Sequence, residues 1–160
     1  MSLLIRKATP EDLGALGNLG AMLMRTHYAF DAHRFLTPEE GVENGYASFL
    51  GSVLHSADDC LFVAEQNGVV SGYVWGGLEP LSWKELRGPA GFIHDLAVAD
   101  DARHSGVGTA LIEAGIAWLR ERGAPRVVLW TAARNHAALT LFRRLGFRDT
   151  MIEMTIEVER

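Results

Sequence analysis

The stretch Val98-Ala-Asp-Asp-Ala-Arg103-His104-Ser105-Gly106-Val107-Gly108-Thr109 decides the fold, because it joins a β-rich run to a helix through a loop bearing an arginine and two glycines. Upstream, Gly91-Phe-Ile-His-Asp-Leu-Ala-Val98 reads as a strand. Downstream, Gly106 to Arg122 places Val107, Leu111, Ala114 and Trp118 on one helical face before Gly123 and Pro125 stop the helix. Arg126-Val-Val-Leu-Trp-Thr131 is β-favouring again. Strand, helix and strand in succession predict a right-handed parallel crossover. The junction suits an anion: the N–H groups of a helix's first turn lack intrahelical partners and sit at the positive end of the macrodipole, and a glycine lets a phosphate approach the backbone. It is no Walker A loop, since Gly-Lys-Ser/Thr is missing. It is no Rossmann fingerprint either, since Leu111 stands where the third glycine belongs and no acid ends the strand at Trp130-Thr131. From the spacing alone, a phosphate cradle and a plain tight strand-to-helix turn both stay open.

Around this unit the remaining elements fall into place. Leu3-Leu-Ile-Arg-Lys-Ala8 is a short β-favouring run. Thr9-Pro10-Glu11-Asp12 supplies an N-cap hydroxyl, a proline at the first helical position and an acid three residues after the cap. Leu13, Leu16, Leu19 or Gly20, Leu23 and Met24 then recur at helical spacing to about Arg25. Thr37-Pro38-Glu39-Glu40 repeats the start signal for a second helix striped with Val42, Tyr46, Phe49, Leu50, Val53 and Leu54. Between them, Thr26 to Leu36 forms a connection rich in histidine and aromatics. Cys60 to Gln66 and Val69 to Trp75 flank Asn67-Gly68, the strongest hairpin signal in the chain. Gly76 to Ala90 reads as a connection with a short helical piece around Trp83 to Leu86. Asn135 to Leu145 is a helix ended by Gly146, and Ile152, Met154, Ile156 and Val158 alternate with Glu153, Thr155 and Glu157 as a last strand. The hairpin predicts antiparallel pairing and the crossover parallel pairing, so the sheet should be mixed, with helices on both faces.

Composition narrows the class of function. At 160 residues, with 48% hydrophobic and 22% charged side chains, the chain has the balance of one compact domain. A net charge of -5 disfavours a nucleic-acid binder that gains affinity by releasing counterions from phosphates. The longest run free of Asp, Glu, Lys and Arg is Asn44 to Ala57. That is short of the roughly 18 to 20 residues of a spanning helix, so no membrane segment is expected. Met1 to Arg6 carries its charge after its apolar run, so no secretory signal is readable and a cytoplasmic location is expected. A lone Cys60 forms no intrachain disulfide, and no Cys-x-x-Cys or close histidine pair offers zinc ligands, so no metal is expected.

Arg103-x-x-Gly106-x-Gly108, after a strand ending Leu96-Ala-Val98, resembles the acyl-CoA loop of the GNAT superfamily of N-acetyltransferases. Asn135-His-Ala-Ala138-Leu-Thr-Leu141-Phe142-Arg-Arg-Leu145-Gly146-Phe147 is similar to that superfamily's second motif, Asn-x-x-Ala-x-x-Leu-Tyr-x-x-x-Gly-Phe, with Phe142 in place of the tyrosine. The resemblance covers Leu3 to about Val158 in element order and is motif-specific from Phe92 to Phe147. It implies one GNAT-like domain over residues 1–160, of mixed α/β class, with a mostly antiparallel central sheet, a splayed parallel strand pair and helices on both faces. It also implies acetyl-CoA as co-substrate, lying between the strands at Phe92 to Val98 and Arg126 to Thr131. Its pyrophosphate would rest on the N–H groups of Arg103, His104, Ser105, Gly106, Val107, Gly108 and Thr109. Its pantetheine arm would pair with Leu96, Ala97 and Val98, and the Val98 N–H would polarise the thioester carbonyl. Asn135, Ala138 and Phe142 would line the cofactor side. The amine would attack directly, with no covalent enzyme intermediate, which requires it neutral and so implies a base.

His94 and Asp95 are the candidates for that base. Alternation sends neighbours to opposite faces unless a bulge intervenes, so one at most is expected in the cleft. His94 shares parity with Leu96 and Val98, and an imidazole near its reference pKa of about 6.5 accepts a proton at neutral pH, which makes it the favoured base. The plain alternatives are a hydrogen-bonded strand histidine and a carboxylate paired with an arginine or a loop N–H. Phe142 stands where the resemblance leads to a tyrosine that protonates the departing thiolate; a thiol of pKa about 8.5 leaves tolerably without one. Phe142 also fits a core stripe with Ala138 and Leu145, and Asn135 fits an N-cap with or without a cofactor contact.

The resemblance places the acceptor beside the first two helices and their connection, where His27, Tyr28, Asp31, His33, Arg34 and Phe35 collect. Asp31, Glu39 and Glu40 suit a cationic amine. The plain alternative is a loop whose aromatics seal the core. The function so implied is acetyl transfer to a primary amine of a small molecule or peptide, without nucleic acid, membrane or metal, by a monomer or a homodimer. A non-catalytic CoA-binding module competes with it on the strength of Phe142. A nicotinamide-dependent oxidoreductase is disfavoured by the missing third glycine and acid.

Overall fold

In the computed structural model, which describes residues 2–159, Asn67 and Gly68 take φ angles of 53° and 77°. These are the positive values a two-residue turn demands. The turn joins β2 (Asp59–Gln66) to β3 (Val69–Glu79), the middle of a five-stranded sheet. β1 (Leu3–Lys7) pairs antiparallel with β2, and β4 (Ala90–Val98) pairs antiparallel with β3. β5 (Val127–Leu129) closes the order β1-β2-β3-β4-β5 by pairing parallel with β4. The sheet is therefore mixed and mostly antiparallel, with one parallel pair at its end.

Helices cover both faces. α3 (Val107–Glu121) and α4 (His136–Arg144) enclose one cluster with Val74, Ile93, Leu111, Ile112, Leu119 and Phe142. α1 (Leu13–Phe30) and α2 (Val42–Val53) enclose another with Leu16, Leu50, Val63, Tyr73 and Ala97. α1 is preceded by a single 3-10 turn at Pro10–Asp12, where the Asp12 carboxylate accepts from the Thr9 N–H at 2.8 Å and from Arg6 at 2.8 and 2.9 Å. Cys60 is buried, and burial pushes its thiol up to about 11, so it is an inert core residue.

The structure departs from the expectations at four places. α1 runs on to Phe30, so His27 and Tyr28 belong to its last turns and not to a loop. α2 begins at Val42 and not at Pro38, because Gly41 sits at φ 80°, outside the helical path. β3 continues to Glu79, and the connection after it is closed by a Ser82–Arg87 bridge around a turn at residues 83–86 instead of a helical piece. The strand expected from Ile152 to Val158 forms no ladder: alternation favours an extended backbone, but a strand needs a neighbour to hydrogen-bond.

Candidate active site

β4 and β5 part company early. Their parallel pairing covers Gly91↔Val127, Phe92↔Val128 and Ile93↔Leu129 and stops there, so from His94 onward the outer edge of β4 faces a cleft. The direction of its backbone groups follows from the other edge. Ala99 N–H donates to the Ser71 carbonyl at 2.8 Å, toward β3. Alternation along an antiparallel ladder then turns Ala97 toward β3 and Val98 and Leu96 toward the cleft. The Ala97 carbonyl lies against Gly72 of β3 accordingly, so Ala97 is not offered to a ligand by its backbone, whereas Leu96 and Val98 are.

The cleft runs straight into the start of α3. After Val98 the chain makes a 3-10 turn at Asp100–Ala102, His104 takes φ 61°, and Gly106 takes φ 88° as N-cap. The Gly106 carbonyl accepts the first helical bond, from Ala110 N–H, which leaves the N–H groups of the first turn pointing out of the helix end. A Cβ at Gly106 would meet open space. Gly108 differs: a Cβ there would press on Leu141 of α4 at 3.2 Å, so this glycine also serves helix packing. Arg103 is half-exposed, 3.2 Å from Asp100 and within 3.5 Å of the Val98 carbonyl. Ser105 Oγ donates to the Ala102 carbonyl.

A bulge shapes the face toward α1 and α2. Trp75 opposes Asp95 and Gly76 opposes Ile93, so His94 is the extra residue. Its consequence is a change of phase. Ile93, Leu96 and Val98 face α3, while His94 and Asp95 both face α2. The expectation that alternation separates these two residues is overturned, and His94 does not share its face with Leu96 and Val98.

The two side chains meet different surroundings. The His94 ring lies between Trp75 (4.4 Å between centroids) and Phe92 (5.6 Å), with Nε2 3.3 Å from Glu79 Oε1 and the side chain partly open to solvent. Asp95 is enclosed: its Oδ2 accepts from the Tyr73 hydroxyl at 2.9 Å and from the Tyr46 hydroxyl. Burial raises its carboxyl above the ordinary carboxylate value, against the lowering effect of both phenols and of His94 and His27. Burial, and then the Asp95 charge, raise both phenols. Tyr46 reaches Asp95 because α1 has no side chain at Gly20, where a Cβ would overlap the Tyr46 ring. The rings of Phe49, Trp75, His94, Phe92 and Trp130 touch in succession, forming a row from α2 across β3 and β4 to the end of β5.

Residues expected on the acceptor side divide. His27 lies near enough to Asp95 to act on its charge, with Nδ1 2.8 Å from the Leu23 carbonyl. Asp31 ends α1 and accepts from the N–H groups of His33 and Arg34 at 3.1 and 3.2 Å, so its carboxylate is engaged in a turn. Phe35 stacks edge-on against His27 and lies beneath Arg34, whose guanidinium holds Glu153. Tyr28 lies on α1, in its last turns. On the cofactor side, Asn135 is the N-cap of α4, accepting from Ala138 N–H at 3.2 Å, and Phe142 is buried beside Phe147. Tyr46, Tyr73, Trp75 and Glu79 were not singled out from the sequence, because only the register of β3 on β4 brings them to His94 and Asp95. Among the described residues no group of three or more His, Cys, Asp or Glu could hold a metal ion, and no helix is long and apolar enough to cross a membrane.

A strand splayed from its parallel neighbour and aimed at a glycine-capped helix start is the arrangement that the resemblance of the Arg103–Gly108 loop implies. The model of the acetyltransferase (GNAT) family matches residues 22–147, and the chain belongs to that family. It is 37% identical over 95 residues to a mycothiol acetyltransferase of Cellulomonas flavigena, covering 58% of this chain and 27% of that protein. It is 38% identical over 92 residues to an uncharacterised N-acetyltransferase of Methanocaldococcus jannaschii, covering 58% of this chain and 40% of that protein. The matched stretch thus covers less than half of either relative. Its fold matches the BH1408 protein of Bacillus halodurans (TM-score 0.83, 20% identity, 98% and 99% of the two chains). It also matches the aminoglycoside N-acetyltransferase AAC(6')-Iy in complex with CoA (TM-score 0.79, 18% identity, 99% and 96%).

Proposed function

We propose that this chain transfers the acetyl group of acetyl-CoA directly to a primary amine of a small molecule or peptide. The carrying observation is that β4 and β5 separate after Ile93↔Leu129, leaving the Leu96 backbone groups and the Val98 N–H open beside the helix start at Gly106. Acetyl-CoA fits what is there: an extended arm finds an unpaired strand edge, and a pyrophosphate finds first-turn N–H groups with no Cβ at Gly106 in its way. When bound, it supplies a thioester activated for attack by nitrogen.

Val98 N–H acts as the donor to charge developing on the carbonyl oxygen. His94 is the base: it is the open member of the pair, and Glu79 beside Nε2 orients its ring so that Nδ1 stays available to take the amine's proton. Asp95 is a positioning residue, closed off by two phenols. The aromatic row from Phe49 to Trp130 forms the floor over which the acceptor reaches His94, which moves the acceptor site from the Asp31–Phe35 turn toward β3 and β4. The protein acts in the cytoplasm without a metal. Incubation with acetyl-CoA and a panel of amines, following free thiol, tests this reading. Amine-dependent thiol release is expected; tight CoA binding with no release for any amine would make the chain a CoA-binding module instead.

A further inference from the structure

The connection from β3 to β4 is fastened to the aromatic row that carries His94. Its two arms meet at Ser82 and Arg87, whose backbones bond at 3.0 and 3.2 Å, and the Arg87 guanidinium lies 4.6 Å over the Phe92 ring. That guanidinium is committed to the Pro80 and Gly88 carbonyls at 2.9 and 3.2 Å and to Glu85 at 2.7 Å. Its Nε is buried without a hydrogen bond, so the group anchors the hairpin and is closed to a ligand. The tip of the hairpin is the reverse. Trp83 and Leu86 are 85% and 89% exposed, and Leu86 sits at φ 53°, a left-handed value that a bulky apolar residue adopts only at a cost. Trp130, which meets Phe92 edge-on at 6.0 Å, is 72% exposed. Large apolar side chains are thus held in solvent on two elements that both rest on Phe92, and such a patch marks a contact surface.

The polar groups along the row are already engaged. Asp59 accepts from the Trp75 indole N–H at 2.8 Å and from the Ser56 hydroxyl, and Asp95 accepts from the phenols of Tyr46 and Tyr73. Glu79 remains, half-exposed, with one oxygen 3.3 Å from His94 Nε2, and it serves a single ammonium, the one that reacts. A polyhydroxylated or polycationic acceptor would give up water here and find no partner in exchange, at a cost for every group left unpaired. An apolar body loses no such bonds and covers rings that are otherwise in solvent. We propose that the acceptor is an arylalkylamine: its aromatic body lies on Trp130 and against Trp83 and Leu86, and its short arm carries the primary amine to His94. The proposal rests on the acetyl-transfer reading and deepens it by naming the acceptor's class. Trp83, Leu86 and Trp130 are its specificity-determining residues.

The test follows thiol release from acetyl-CoA with phenethylamine and tryptamine beside glucosamine, kanamycin and spermidine. For the two aromatic amines kcat/KM is expected to be about tenfold or more above that of each of the other three. Trp83→Ala, at a side chain already in solvent, should raise the KM for phenethylamine about fivefold with kcat within about twofold, because it removes contact with the acceptor's body and not with the reacting atoms. Trp130→Ala should do the same. Glucosamine, kanamycin or spermidine turned over as efficiently as phenethylamine would overturn the proposal and leave acetyl transfer standing. So would an unchanged KM for phenethylamine in both variants. Absence of thiol release with every amine would overturn acetyl transfer, and this proposal with it.

Discussion

The outer edge of β4 and its face toward α2 meet at His94, yet they are built in different ways. The edge and the loop that follows it are one continuous stretch, residues 91–109, and each feature there comes from a neighbour in sequence: Val98 points outward because Ala99 points inward, and α3 starts where Gly106 permits. The face is assembled from α1, α2, β2, β3 and β4, and its arrangement hangs on one extra residue in a ladder and one missing side chain at Gly20. On the proposed reading, the cofactor half is thus determined locally and the acceptor half by tertiary register.

If the two halves are separable, a change on the face should alter turnover and leave cofactor binding alone. His94→Ala is expected to lower kcat by roughly 10²-fold, with the CoA dissociation constant unchanged, because the ring is proposed to act on the amine. Steady-state kinetics beside CoA titration decide it. A fall in kcat below about threefold would transfer the role of base to water or to Asp95.

The reverse experiment falls on the loop. Gly106→Val forces a branched residue into φ 88°, while its side chain would project into open space, so the fold should survive and the loop should not keep its shape. CoA binding is expected to weaken at least tenfold, about 1.4 kcal/mol. Gly108→Val offers the contrast. Its side chain drives into Leu141 and toward Val98, so it should lower Tm as well as affinity. If Gly106→Val binds CoA normally, the helix start is a plain turn.

Asp95 gives a smaller effect, with a sign fixed by its environment. Burial raises its carboxyl, so the folded chain binds that proton more tightly than the unfolded chain does. A raised folded-state value contributes stability that is fully present below the unfolded pKa and lost as pH rises through the folded one. Asp95→Asn keeps an oxygen for Tyr46 and Tyr73 and removes the buried charge. Its Tm should equal that of the parent near pH 4 and exceed it by a few degrees at pH 7. Thermal melts across that range test this, and an Asn variant less stable at pH 7 than the parent would show that the two phenols stabilise the carboxylate by more than burial costs it.

The same division governs what the sequence discloses. The hairpin at Asn67-Gly68, the β4-α3-β5 unit and the Asn135 cap are legible because turn chemistry and helix signals act over a few residues. The bulge at His94 is not, since nothing in Phe-Ile-His-Asp marks which residue the partner strand will skip. Nor is the Tyr46–Asp95–Tyr73 cluster, whose members lie on three elements and meet only through packing. Thr37-Pro38-Glu39-Glu40 carries a sound start signal that Gly41 overrides, and Ile152 to Val158 carries a sound strand pattern with no ladder partner among the described residues.

The smallest effect is expected at Phe142. Its ring is buried in the cluster beneath α3 and α4, 5.9 Å from Phe147. Phe142→Tyr places a hydroxyl on that ring. If the thiolate of CoA leaves without help, the new donor is superfluous, and kcat should change less than about threefold, a barrier change under roughly 0.7 kcal/mol. A thiol of ordinary pKa, about 8.5, departs more readily than a neutral amine is generated and attacks, so the small change is expected. Should the hydroxyl find no partner among the apolar neighbours, it costs about 1 to 3 kcal/mol of stability, which a lowered Tm would register. A tenfold rise in kcat would instead make departure of the thiolate the limiting step, and would join Phe142 to the cofactor half as a reacting position and not as packing.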